Sequence, residues 1–296
     1  MQKVGLTGST GMIGRHMKSL LEFHNVECIC IKRDSWNLLD WKTLQELDRL
    51  FEEVDAIFHF GAALPKASNY TNENNQQTQV IFDANVRACL NLAEWAQSRD
   101  VPVVFLSGAT VYDEPCAKKI NETAPKVKNG FGGFYGYSKL LAEKVFDHFM
   151  ECGLKLVILR PSSVYGVGLG AGKLIPNYLN LASSNEIIKI ESPQNRINLI
   201  HALDVSKAAF LALSNRSWGV YNVASEDNSS IQELAQSIVN VCGAGTIVIN
   251  ETLIGQAPFV RFDLDTSKAT HAFSFKQTIN LNEGLALMHE LKEMRC

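Results

Sequence analysis

The sequence is short of the features that mark several protein classes. Its 28 lysines and arginines stand against 31 aspartates and glutamates, so no basic excess points to nucleic acid or an anionic membrane surface as a partner. No apolar run reaches the roughly 20 residues that a membrane-spanning helix needs. The opening stretch Met1-Gln-Lys-Val-Gly5-Leu-Thr-Gly8 lacks the long apolar region of a secretion signal, and glycine follows too early. Cysteines stand at 28, 30, 89, 116, 152, 242 and 296, yet none forms a Cys-x-x-Cys pair and several lie inside apolar runs. That spacing argues against a zinc site or a disulfide framework and for reduced thiols. Internal repeats and low-complexity tracts are missing too. A soluble, cytoplasmic chain without a metal is the expectation.

What is there is a chain of 296 residues, 46% of them hydrophobic, enough for one large α/β domain with a smaller lobe. Short β-branched segments alternate with helical patterns, the mark of βαβ units and a doubly wound parallel sheet of the Rossmann type. Strands are expected at Val4–Thr7, Glu27–Lys32, Ala56–Gly61, Val103–Ser107, Leu156–Arg160 and Val220–Val223. Helices are expected at Met12–Phe23, at Trp41–Phe51, along Ile81, Ala88, Leu92 and Trp95, at Leu140–Met150, and from about Asp204 to Leu213. Ser230-x-x-Glu233 forms a capping box ahead of Leu234 and Ile238. The texture changes after Arg160, where Gly166, Gly168, Gly170 and Gly172 read as a loop. We expect a dinucleotide-binding domain over 1–165, with 197–223 returning to it, and a substrate lobe from 166–196 and 224–296.

Between the first strand and first helix lies Gly8-Ser-Thr10-Gly11-Met12-Ile13-Gly14. Glycines at this spacing permit a tight turn and close backbone approach to a pyrophosphate, whose charge the helix N-terminus attracts. An NAD-binding second strand usually ends in an acid that accepts the ribose hydroxyls. Here Lys32 and Arg33 stand in that place, which favours a 2′-phosphate and so NADP over NAD. Arg15 adds a further cation. Asp34 would serve as the ribose acid if the register slipped by two, and a solvated strand end is the plainer reading of Lys32 and Arg33. The small residues in Phe60-Gly61-Ala62-Ala63 let a cofactor lie against the backbone, and Asn37 and Leu38 are placed to reach an adenine.

Tyr135-Gly-Tyr-Ser-Lys139 opens a helix. Residues four apart share a helix face, so a phenol and an ammonium point to one place. A phenol of pKa about 10 is a poor acid–base group at neutral pH. A neighbouring ammonium and an oxidised nicotinamide stabilise its phenolate and bring it toward the working range. Tyr137 cannot substitute, since its partner four residues on is Leu141.

Taken with Asn85-Val86, Ser107-Gly-Ala-Thr-Val-Tyr112, Arg160-Pro-Ser-Ser-Val-Tyr-Gly166, Arg196-Ile-Asn-Leu-Ile-His201 and Gly219-Val-Tyr-Asn-Val-Ala224, these motifs resemble, nearly end to end, the extended short-chain dehydrogenase/reductases. That superfamily contains the nucleotide-sugar epimerases, dehydratases and 4-keto reductases. The resemblance implies that Tyr135 and Lys139 are catalytic. Both also fall among the implied cofactor contacts, as does Pro161. It places Ser163, Lys173, Leu174 and Arg196 where relatives contact the nucleotide diphosphate or sugar, with Arg261 as a further cation. A homodimer, common in the family, would use the helices around Asn85–Trp95 and Leu140–Met150.

Two departures bear on chemistry. Relatives carry a second hydroxyl residue where this chain has Gly108, and losing such an oxyanion donor costs on the order of 3 kcal/mol. Thr110, or else Ser107, would have to supply the hydroxyl. The acids of the family's dehydratases and the glutamate of its decarboxylases are replaced by Ala109 and Thr110. Thr110 also stands where the reductase that epimerises GDP-linked keto sugars has a cysteine. Simple hydride and proton transfer remains. The leading expectation is an NADP-dependent reductase of a keto nucleotide-(deoxy)sugar. The alternatives are a 4-epimerase with tightly held NAD and, in another class, a non-catalytic dinucleotide-binding sensor or assembly factor.

Overall fold

A computed structural model describes residues 1–65, 75–127, 133–250 and 259–293. The chain opens with β1 (Lys3–Thr7), α1 (Met12–Phe23), β2 (Glu27–Ile31), α2 (Leu44–Leu50) and β3 (Ala56–His59). After β3 come α3 (Asn75–Phe82), a π-helical turn over Asp83–Arg87, and α4 (Ala88–Ser98). β4 (Val103–Leu106), α5 (Gly133–Glu151) and β5 (Leu156–Pro161) complete the first part. The second part runs β6 (Ser163–Tyr165), α6 (Leu174–Ser183), β7 (Ile187–Ile190), β8 (Arg196–His201), α7 (Ala202–Ser214), β9 (Gly219–Val223) and β10 (Asn228–Ser230). It ends with α8 (Ile231–Cys242), β11 (Thr246–Ile249), β12 (Val260–Arg261), α9 (Ser267–Phe273) and α10 (Leu281–Glu293).

Strands β2-β1-β3-β4-β5-β9 form one six-stranded sheet, in that order, and every neighbouring pair is parallel. Because crossover helices cover both faces, the strands are apolar on both sides: β4 reads Val-Val-Phe-Leu and all four residues are buried. On one face Met17, Leu20 and Leu21 of α1 and Ala208, Ala209 and Ala212 of α7 pack on Val4, Leu6 and Val157. On the other, Leu92 and Trp95 of α4 and Ala142 and Phe146 of α5 pack on Ile57, Phe105 and Ile158. Each valine, leucine, isoleucine, methionine or phenylalanine so withdrawn from water contributes about 1.5–3 kcal/mol.

The remaining strands build two small sheets. β10-β8-β12 form one, with β6 also on β8, and β11 pairs with β7 in the other. A separate apolar cluster joins Tyr178 and Leu179 of α6, Ile188 and Ile190 of β7, Leu234 and Ile238 of α8, and Leu285 of α10. All of these second-part elements except the α7 and β9 region went unforeseen beyond the capping box. That box is present, with Ser230 and Glu233 bonding each other's backbone.

Local chemistry explains where boundaries differ from the sequence pattern. α2 begins at Leu44 instead of Trp41, because Thr43 and Glu46 form a capping box that starts it there. The backbone of Lys42, just outside, is held through both its N–H and C=O by the Asn91 amide. The long helix through Ile81 and Trp95 is interrupted by the π turn at Asp83–Arg87, a feature that often marks functional positions. α5 begins at Gly133, well before Leu140. Among the described residues no helix is long and apolar enough to cross a membrane.

Candidate active site

Gly8, at the end of β1, has φ +71°, and a Cβ there would lie 2.7 Å from the Gly61 N and the Phe60 carbonyl carbon. A Cβ on Gly14 would lie 2.0 Å from Gly8 O. Both positions therefore need glycine, and the packing brings Gly8 against Phe60 and Gly61 at the end of β3. Gly11 is the N-cap of α1 and donates to Gly8 O, so Thr10, Met12 and Ile13 surround an open helix N-terminus with no acidic side chain in its first turn. Such a cradle, with free amides and no room for side chains, fits the pyrophosphate of a dinucleotide. Ala62 follows Gly61 and is half-buried.

Lys32 and Arg33 lie just past the end of β2 and are exposed, as is Asp34. Trp36 Nε1 donates to Asp40 O, which folds the loop back so that a Cβ on Gly61 would meet Leu38 Cδ1 at 2.9 Å. Asn37 Oδ1 accepts from Leu39 N–H within the same loop. Arg15 Nε donates to Thr10 O at 2.9 Å, holding its guanidinium over the glycine turn.

Tyr135 and Lys139 occupy the first turns of α5, Tyr135 half-buried and Lys139 4% exposed. Lys139 Nζ donates to Leu106 O at 2.9 Å and lies 4.9 Å from the Phe105 ring centroid. Burial pushes its ammonium down to about 8, opposed by Cys89 and Glu143. Leu106 closes β4, so the lysine meets the chain one residue before Ser107. Ser107 Oγ and Thr110 Oγ1 are both buried without a hydrogen-bond partner among the described residues. Buried polar atoms are rarely left so, and two together at the end of β4 are the mark of a place where a ligand group belongs. Tyr137, by contrast, is exposed.

Asn85, Tyr112, Arg160 and Asn222, which the motifs contain without a role, hold this end of the sheet together, with Ser138 and Glu143. Asn85, in the π turn, accepts from Ala63 N–H at 2.7 Å and donates to Ala63 O and to Ser138 Oγ. Ser138 Oγ in turn donates to Tyr135 O at 2.7 Å. One amide thereby joins the loop after β3 to the turn that carries Tyr135. One turn beyond Lys139, Glu143 takes a two-pronged pair from Arg160, Nε to Oε1 at 3.0 Å and Nη2 to Oε2 at 2.6 Å. Arg160 Nη1 also donates to Tyr112 Oη, which donates to Asn222 Oδ1. A polar residue four after Lys139 and an arginine ending β5 were the available signals. His59 is fully buried beside Lys139, and burial drives its imidazole down to about 3, so it stays neutral.

On the substrate side the residues are spread along several elements. Pro161 ends β5 opposite Val223, and Ser163 opens β6, half-buried. Lys173, exposed, is the N-cap of α6, and Leu174 is its first residue, 39% exposed. Arg196 and Arg261 lie on the paired strands β8 and β12, where Arg261 stands opposite Ile197 and Arg196 opposite Val260. Arg196 is bound to Glu233 at 3.0 Å and to Asn228 O. The Arg261 guanidinium lies over the Phe259 ring. His201 caps α7 by accepting from Leu203 N–H. Asp204 accepts from Thr278 N–H and Ile279 N–H. Both are strand-end and helix-start residues, as their positions in sequence suggest.

A parallel sheet with a glycine turn at its first strand and a tyrosine–lysine helix beyond its fourth defines a dinucleotide-dependent enzyme. The chain belongs to the NAD dependent epimerase/dehydratase family, whose model matches residues 4–224. Among similar proteins is a dTDP-4-dehydro-6-deoxy-D-allose reductase of Streptomyces bikiniensis, 26% identical over 271 residues, covering 80% of each chain. A dTDP-D-glucose 4,6-dehydratase of Mus musculus is 26% identical over 199 residues, 64% of this chain and 52% of the other. Among solved structures, UDP-N-acetylglucosamine 4-epimerase from Bacillus cereus superposes with a TM-score of 0.83 at 20% identity, covering 99% of this chain and 97% of that one. RMD from Pseudomonas aeruginosa complexed with NADPH gives 0.83 at 20% identity, covering 100% and 99%.

Proposed function

We propose that the protein is an NADP-preferring oxidoreductase that reduces the keto group of a nucleotide-linked deoxysugar. The observation that carries this reading is the pair of buried, unpartnered hydroxyls of Ser107 and Thr110 at the strand end that Lys139 reaches. Gly8, Gly11 and the N-terminus of α1 would hold the pyrophosphate of a dinucleotide, which would supply the hydride when bound. Tyr135 donates its phenolic proton to the substrate oxygen as the carbonyl carbon is reduced. Lys139, one helical turn on, stabilises the phenolate left behind. Thr110 donates a hydrogen bond to the same oxygen, in place of the hydroxyl that relatives carry at position 108.

No acid stands at residues 109 and 110 to expel water from the sugar, which favours plain reduction over dehydration. The similarity to a dTDP-4-dehydro-6-deoxy-D-allose reductase over 80% of both chains supports a 4-keto-6-deoxy sugar on a nucleoside diphosphate. Ser163, Lys173, Leu174, Arg196 and Arg261 are the groups for that end, arginine being suited to a pyrophosphate. The exposed Lys32 and Arg33 are the groups for a 2′-phosphate.

The test is NADPH oxidation, followed at its absorbance band, with a dTDP-4-keto-6-deoxyhexose. Turnover is expected to vanish in Tyr135→Phe, and Lys32→Ala/Arg33→Ala is expected to lose preference for NADPH over NADH. If purified protein carries tightly bound NAD and interconverts 4-epimers with no net cofactor consumption, the reductase reading is wrong.

A further inference from the structure

The described cysteines are scattered with one exception. Cys28 and Cys30 are alternate residues of β2, so both side chains leave the same face of the sheet, the face that α1 covers through Met17 and Leu20. Their register on β1 is Cys28 opposite Val4 and Cys30 opposite Leu6. β2 is the edge of the six-stranded sheet, and both thiols are half-buried rather than sealed. Their Sγ atoms lie 3.8 Å apart. Two thiolate bonds of about 2.3 Å to one soft centre across that gap would open an angle of about 110°, within the range of a pyramidal or tetrahedral atom.

We infer that Cys28 and Cys30 form a two-thiol site for a soft, trivalent centre of the arsenic(III) class, bound through both sulfurs at the open edge of the dinucleotide-binding sheet. The ligand class follows from the number of donors. Among the described residues no group of three or more histidine, cysteine or acidic side chains gathers to hold a metal, so a centre that needs four protein ligands is not served. A trivalent centre needs only the two sulfurs and keeps its third substituent outward, where the edge strand leaves room. Burial and the neighbouring Cys30 push the Cys28 thiol up to about 12, so that thiol alone is a sluggish nucleophile. The pair gains by closing a ring: the second bond forms at high effective concentration once the first has formed. With phenylarsine oxide the arsenic–oxygen bond breaks and two arsenic–sulfur bonds form. Both thiol protons leave with the oxygen as water, and arsenic remains trivalent throughout.

The site is independent of the cofactor and substrate reading. Intact-protein mass spectrometry of the folded chain with phenylarsine oxide tests it. One phenylarsenic unit per chain is expected, resistant to excess glutathione and released by a small dithiol. Cys28→Ser and Cys30→Ser should each weaken capture by about 100-fold, while Cys116→Ser/Cys152→Ser, which changes two exposed cysteines, should retain it. Cys28→Ala and Cys30→Ala serve where serine lowers the melting temperature. Failure of the folded wild type to take the adduct overturns the proposal. So does an adduct that persists in both single variants.

Discussion

A Cβ built on Gly108 would lie 3.6 Å from Thr110 Oγ1. The threonine hydroxyl would therefore touch a side chain at 108 at ordinary van der Waals distance, two residues along a short 3-10 turn. Gly108 has φ 176°, extended backbone that any residue adopts, so its glycine is not demanded by strain. Thr110→Val should lower kcat for carbonyl reduction by about 100- to 1000-fold, the range for loss of one oxyanion donor, with the melting temperature little changed. Adding Gly108→Ser to that variant should recover part of the loss. Steady-state rates of the single and double variants decide it: no loss in Thr110→Val removes Thr110 from the chemistry.

The buried Lys139 ammonium, pushed down to about 8, predicts a pH dependence. In the free enzyme, kcat/KM for reduction should fall as pH rises through about 8, because a neutral amine no longer stabilises the phenolate. The same group affects stability. Between pH about 8 and 10.5 the unfolded lysine holds a proton that the folded one has released, so its contribution to stability rises with pH across that window. Lys139→Met should lose the rate limb and flatten that part of the stability curve. A pH–rate profile with no break near 8 would contradict the assignment.

Asn85 links three backbone or side-chain groups that no other residue in the described structure reaches in this way. Asn85→Ala leaves the Ala63 N–H and C=O without their side-chain partner, each costing about 1–3 kcal/mol, while Ser138 Oγ keeps its bond to Tyr135 O. The expected outcome is a lower melting temperature together with weaker cofactor binding, read by calorimetry and by titration of nucleotide fluorescence. Ser138→Ala, which removes the tie to Tyr135 O and one Asn85 contact but keeps Asn85 on Ala63, should spare cofactor affinity and depress kcat instead.

The Glu143–Arg160 pair is nearly inaccessible, with side-chain exposures of 1% and 6%. Glu143→Gln should destabilise by about 3–5 kcal/mol, since it strands a buried guanidinium. Glu143→Leu with Arg160→Met should cost much less than the two single changes summed. Chemical denaturation of the four proteins measures the coupling.

The parallel sheet was legible because each strand is a short apolar run bounded by turn residues, and crossover helices carry one apolar face. Met12–Phe23 follows from the spacing of Ile13, Met17, Leu20 and Leu21 on one face. The second part was far less legible. β7 alternates buried and exposed residues over only four positions, and β6, β10 and β12 are two or three residues long. Segments so short take their conformation from their partners, chiefly β8, which periodicity within the segment cannot reveal. The π turn was equally hidden: Asn85 bonding the Ala63 backbone and Arg87 reaching Leu39 O are contacts across the fold.

By itself the sequence determined the kind of sheet, the glycine turn and the placing of Tyr135 and Lys139 four apart on one helix. All three depend on local periodicity and on conformations that only certain residues adopt. Tertiary structure alone decided which hydroxyls are left buried without partners, that Lys139 donates to Leu106 O, and that Asn85 and Arg160 fasten α5 to distant segments. Those properties are set by desolvation and by the meeting of groups far apart in the chain, neither of which a single segment encodes.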